Sequence, residues 1–170
     1  MGGALRLRRA LWCNEGMRVI GIDYGLRRTG VAIGEVEDAS AEGPGGGVSS
    51  GGMALPFEMF EGLGDEALAG AIAQLVRREK IGAIVVGLPL NADGSVSGQS
   101  KLTERFIVTL IQAVGVEVPL HRVTEYLTTY DTEGKLAGHY TRLQKRARVD
   151  ALAAARILQD WMEGSRRLGN

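Results

Sequence analysis

The stretch MRVIGIDYGLRRTGVAIGE, Met17 to Glu35, decides the fold. MRVIGID (17–23) is a short apolar run with β-branched residues, ending where a glycine turn begins, and reads as a buried strand. Tyr24 to Arg28 make a tight connection, and TGVAIGE (29–35) reads as a second strand pairing back onto the first. Working outward, MALPFEMF (53–60) gives a third strand. Pro56 within it argues for an edge position or a bulge, because proline cannot donate to a ladder.

Leu68, Ile72, Leu75 and Val76 recur at helical spacing, so the sequence predicts an amphipathic helix over 65–80. IGAIVVG (81–87) is a near-continuous apolar run, as a parallel strand covered on both faces should be. The loop LPLNADGSVSG (88–98) leads to a second amphipathic helix over 99–114 and a strand VEVPLHRVTE over 116–125. A helix from about 128 to 138, a basic connection, and a last helix over 149–163 complete the chain. Three meandering strands followed by alternating helix and strand give an α/β domain with a mixed sheet and helices on its faces. That is the layout of a ribonuclease H-like fold.

A length of 170 residues suits one domain, here 17–163, and an apolar content of 45% excludes a disordered or fibrous chain. Residues 1–16 read as a loose extension, with Met17 an alternative start, and 164–170 as a tail. From Asp38 to Gly52 the composition collapses to small residues and acids, including GPGGG, which reads as a flexible insertion between strands. No apolar run approaches the roughly 20 residues that span a bilayer, and the opening stretch is too charged for a secretory signal. The expectation is a soluble cytoplasmic protein. A lone cysteine, Cys13, cannot form an internal disulfide. With only two histidines in the chain besides, a zinc site of the usual ligand set is not expected, and a metal bound here would be held by carboxylates and water, as magnesium and manganese are.

The net charge of zero hides an uneven distribution. Residues 35–66 carry acids and no lysine or arginine, whereas 135–148 carry Lys135, Arg142, Lys145, Arg146 and Arg148 and no acid. The basic run can neutralise phosphates, and it equally suits a solvated helix face.

Chemistry concentrates on acids. Asp23 closes the first strand, at the carboxyl edge where open α/β sheets present ligands, although an Asp before Gly also favours a turn. Glu125 ends a later strand, as charged residues commonly do. Asp150 opens the predicted last helix, where it can cap or complement the dipole. Ala153 and Ala154 follow, small enough to let that helix approach the sheet. Three carboxylates converging at one sheet edge would repel unless cations neutralise them, and two divalent ions so held would serve phosphodiester hydrolysis. Arg27 and Arg28 beside Asp23 are candidate phosphate contacts or solvated turn residues, and Asn91 in the loop after the central strand is first a turn former.

IDYGLRRTGVAIG, VVGLPLNADGS, TEYLTT and VDALAAARILQDW, in this order, resemble the YqgF/RuvX family over about residues 17–163. The resemblance implies a ribonuclease H-like nuclease, described either as a Holliday junction resolvase or as an enzyme maturing the pre-16S ribosomal RNA. By position it places the catalytic, metal-binding acids at Asp23, Glu125 and Asp150, with two Mg2+ or Mn2+ ions as cofactors. Arg27, Arg28, Asn91, Lys145, Arg146 and Arg148 become candidate nucleic-acid contacts, in a monomer or homodimer acting on ribosomal RNA precursor or branched DNA. The family's Asp-Glu-Arg triplet reads Thr124-Glu125-Tyr126 here, so a neighbouring acid and a cation are missing. That departure keeps a non-catalytic nucleic-acid binder in contention. An actin-like phosphotransferase would need a second domain for which the chain leaves no room.

Overall fold

The computed structural model describes residues 16–36, 52–126 and 142–167. The N-terminal extension, most of the glycine-rich insertion and the helix expected at 128–138 lie outside them. The described strands are β1 (Met17–Asp23), β2 (Arg28–Val36), β3 (Leu55–Glu61), β4 (Ala83–Leu90) and β5 (Leu120–Tyr126). The helices are α1 (Asp65–Arg78), α2 (Gly98–Val114) and α3 (Arg142–Arg167). They form a five-stranded sheet in the order β3-β2-β1-β4-β5. β1 pairs antiparallel with β2, and β2 with β3, whereas β4 runs parallel to both β1 and β5. This is the expected ribonuclease H-like α/β arrangement. No described helix is long and apolar enough to cross a membrane.

Strand side chains alternate between faces, and here the two faces differ in kind. Ile20, Ile22, Val31, Ile84 and Val86 join Leu68, Ile72, Leu75, Phe106, Ile107 and Leu110 in a large-residue core beneath α1 and α2. On the other face Val19, Ala32, Ala83 and Val85 meet Ala154, Ile157, Leu158 and Met162 of α3. Several sheet positions on that second face are glycine, so α3 lies almost on the backbone. A Cβ at Gly21 would stand 2.6 Å from Leu158 Cβ and 2.8 Å from the Ala154 carbonyl oxygen. One at Gly87 would stand 2.5 Å from Ile157 Cδ1.

Pro56 lies on an edge strand, and the β2–β3 register slips beside it: Val31 faces Glu58 while Ala32 faces Pro56. Both outcomes expected of that proline occur together. Two element boundaries differ from expectation. β5 begins at Leu120 because Gly115 turns the chain at φ 95° and Val116 is left 90% exposed. α3 begins at Arg142, because RLQKRAR holds good helix formers and no glycine or proline to stop the helix growing backwards. Asp150 therefore sits inside the helix and cannot cap it.

The turn after β1 is anchored from the α1/α2 side. Tyr24 is buried and stacks on Phe106, ring centres 4.4 Å apart and planes 9° from parallel. Its hydroxyl donates to Asp65 Oδ1 at 2.7 Å, and its carbonyl accepts from Gln99 Nε2 at 3.2 Å. Burial, reinforced by the Asp65 hydrogen bond and charge and opposed by Arg105, pushes the phenol up to about 12.

Gly21→Ala should destabilise the protein by roughly 1–3 kcal/mol through overpacking. Gly70→Ala, inside α1 with nothing within 4 Å of the added carbon, should stabilise it by about 0.5–1 kcal/mol. Thermal denaturation of both variants tests this contrast, and equal effects would refute the close-packing account. Tyr24→Phe should cost about 1–2 kcal/mol at pH 8 by removing a hydrogen bond to a carboxylate. The raised phenol pKa means that this contribution is complete below the ordinary value of 10.0 and fades as pH rises towards about 12. The stability gap between wild type and Tyr24→Phe should therefore narrow across that interval in denaturant titrations.

Candidate active site

Asp23 ends β1 and pairs across the antiparallel ladder with Gly30. It lies on the face of Gly21, the face covered by α3. Gly30 is the point of contact. A Cβ there would collide with the backbone carbonyl of Asp150, so only glycine lets α3 descend at this level. One glycine thus faces Asp23 within the sheet and Asp150 above it. Both acids are half-buried.

Glu125 lies on β5, on the other side of β4 from Asp23. It is the Cα partner of Pro89 in the parallel β4–β5 ladder, two residues beyond the Gly87–Val123 pair. Its register position falls on the face of Gly87 and Val123, again that of α3. Asp23 and Glu125 flank β4, separated by two strand spacings, about 10 Å across the sheet. The Glu125 side chain lies outside the described residues. Among the described residues, no three of the metal-binding types His, Cys, Asp and Glu form a ready cluster.

Burial pushes the Asp150 carboxyl above its ordinary range, the Arg28 charge pulls it back, and Glu61 adds to the rise. A carboxylate that loses water without full compensation favours a nearby cation. Arg28 supplies one, with Nη1 3.6 Å from Asp150 Oδ2. The same guanidinium approaches Glu61 of β3, Nε to Oε1 at 3.4 Å. Arg28 therefore has acids as its neighbours here, while Arg27 is exposed on the turn.

The loop after β4 is built on itself. Asn91 Nδ2 donates to Ser95 Oγ at 2.8 Å, and Asp93 Oδ1 accepts from the Ser95 nitrogen at 2.9 Å and hydroxyl at 2.6 Å. Those bonds hold the Asp93 carboxyl below its ordinary range. Ser97 and Ser100 form a reciprocal cap on α2, and both hydroxyls donate to the Pro89 carbonyl. The start of α2 is so tied to the strand position beside Glu125. Lys145, Arg146 and Arg148 lie on α3 ahead of Asp150, their side chains outside the described residues.

Sequence reasoning overlooked Gly30, Glu61 and the Tyr24 latch. An isolated glycine inside a strand does signal close backbone approach, so Gly30 was discoverable. Glu61 was not, because its relation to Asp150 exists only through the β2–β3 register and the descent of α3.

A family model described as "RuvX: Holliday junction resolvase" matches residues 17–164. A protein of Anaeromyxobacter sp. (strain Fw109-5) named "Putative pre-16S rRNA nuclease" is 35% identical over 149 residues, covering 87% of this chain and 98% of its own. One of the same name from Azotobacter vinelandii is 35% identical over 145 residues, covering 85% and 92%. Among solved structures, the fowlpox virus Holliday junction resolvase aligns over 87% of this chain and 99% of its own at 15% identity and TM-score 0.46. Thermus thermophilus RuvC aligns over 64% of each chain at 16% identity and TM-score 0.42. Matched along most of its length by the family model and by relatives above 30% identity, this chain belongs to the RuvX family.

Proposed function

We propose that this chain is a divalent-metal-dependent endonuclease of the cytoplasm that trims the 5′ end of pre-16S ribosomal RNA, with Asp23, Glu125 and Asp150 as its catalytic acids. The observation that carries the reading is the contact at Gly30, which serves Asp23 in the sheet and Asp150 on α3 at once. The donors fit the group: all are carboxylate oxygens, the ligand type of Mg2+ or Mn2+, and the partly desolvated Asp150 calls for positive charge. Held by the three acids, a pair of such ions would activate water and stabilise the leaving oxygen of an in-line displacement.

The chain's own residues supply the rest. Gly30 and Gly21 set the height of α3, and Tyr24 holds the turn after Asp23 rigid. Arg27, exposed beside Asp23, is suited to a scissile-strand phosphate, and Lys145, Arg146 and Arg148 extend positive charge along α3 towards Asp150. Arg28 can share that contact, and Asn91 would present its stiffened loop to the nucleic acid. The substrate assignment rests on the names of the curated relatives. Resolution of four-way DNA junctions is the second reading, supported by the family description, and it requires a two-fold homodimer to place paired cuts.

Cleavage of a pre-16S fragment and of a four-way junction in Mn2+ tests both readings. Asp23→Asn, Glu125→Gln and Asp150→Asn should each lose more activity than the roughly 10–100-fold typical of losing an outer-shell partner. Gly30→Ala should behave similarly, because it retains all three acids but lifts Asp150 off the sheet. Binding without metal-stimulated cleavage of either substrate would make the protein a non-catalytic binder.

A further inference from the structure

Arg28 contacts two acids, Glu61 and Asp150, that repel each other. Glu61 is its cross-strand partner in the β2–β3 ladder, so that pair is fixed by the sheet. Asp150 reaches it because Gly30, two residues further along β2 on the same face, admits α3. The guanidinium divides itself, with Nε 3.4 Å from Glu61 and Nη1 3.6 Å from Asp150. Neither contact is a tight paired fork, so the group is not committed to either side. The surroundings are unequal: the Arg28 and Asp150 side chains are 26% and 32% exposed, whereas Glu61 is 56% exposed. Pairing with Asp150 offsets a costly desolvation, while pairing with Glu61 costs little because water remains available.

We propose that Arg28 is a resident counter-cation that neutralises Asp150 until a divalent ion binds, and that Glu61 then receives its guanidinium. The inference rests on the metal-binding role of Asp150 given above. A doubly charged ion at Asp150 repels the guanidinium, and Glu61, already 3.4 Å from its Nε, can receive it. Glu61 is thus a positioning residue that acts through Arg28. The device keeps α3 docked on the sheet without metal and sets a threshold that the ion must overcome.

Simple charge effects would also make loss of Arg28 tighten metal binding and loss of Glu61 weaken it. The discriminating quantity is therefore the coupling between the two. Mn2+ binding to the full chain, read by calorimetry and electron paramagnetic resonance, should tighten in Arg28→Met and weaken about tenfold in Glu61→Gln. In the Arg28→Met background, Glu61→Gln should change affinity less than about twofold, since the residue it acts through is gone. An equal Glu61 effect in both backgrounds, or no tightening in Arg28→Met, overturns the proposal. Should Arg28→Met fold poorly, the wild type still decides: the Arg28 Nε–Hε NMR signal should move when Mg2+ is added, and Glu61→Gln should suppress that movement. A stationary signal while the Asp150 carboxyl carbon responds overturns the exchange. Asp150→Asn separates the two levels of argument. If it abolishes Mn2+ binding while the coupling is absent, only the exchange falls; if it binds as wild type does, the metal site falls with it.

Discussion

The site depends on how closely one helix can lie against a sheet. A helix that packs through large side chains stands off by about 10 Å, whereas removing the Cβ from the strand beneath brings it nearer and lowers everything it carries. Here the lowering is graded along α3 by Gly21, Gly30 and Gly87, and the tightest point is at Asp150. The sheet acid Asp23 faces that same Gly30. Packing and the placement of the proposed catalytic acids therefore share one residue, and a change that relaxes the first displaces the second. The α1/α2 face has no such constraint: its contacts are between large side chains, whose losses and gains a core can partly absorb.

Much of this was legible in the residues. The apolar run at 17–23, the tight turn and the returning strand at 29–35 led directly to the β1–β2 hairpin. The unbroken apolarity of 81–87 correctly indicated a strand covered on both faces, since β4 lies between β1 and β5 with helices on either side. Pro56 announced both an edge and a slipped register. What failed was local. Val116 to Pro119 carry strand-like residues, yet Gly115 with positive φ sets a turn there, and tertiary geometry overrode propensity. The basic run before Asp150 resembled a connector because charge was read as irregularity, although Leu143, Gln144 and Ala147 among arginines and lysines are helix formers. The error changed the role open to Asp150. Capping needs the first turn, and Asp150 lies beyond it, so burial and a cation partner are what define it.

Electrostatic relations were legible only as far as residue types allowed. That Asp23, Glu125 and Asp150 are acids was plain; that Asp150 would be partly desolvated and share an arginine with Glu61 was not. A charge partner distant in sequence appears only once register and helix height are fixed. The pairing of Arg28 with Glu61 follows from one ladder, and its pairing with Asp150 from one missing Cβ. Neither leaves a periodic trace in the chain.

The three acids of the proposed site are anchored in different ways. Tyr24 clamps the turn after Asp23 to α1 and α2 by a ring stack and two hydrogen bonds, and Ser97 with Ser100 ties the α2 start to Pro89 beside Glu125. Both strand acids thus sit on backbone held from the opposite side of the sheet. Asp150 instead rides on a helix held by Ala154, Ile157, Leu158 and Met162 against the sheet and by an ion pair with Arg28. In the proposed site, two acids are thus set by the sheet and the third by a separately seated helix. The helix acid is also the one with an arginine beside it, so its charge is partly balanced where α3 comes closest to the sheet.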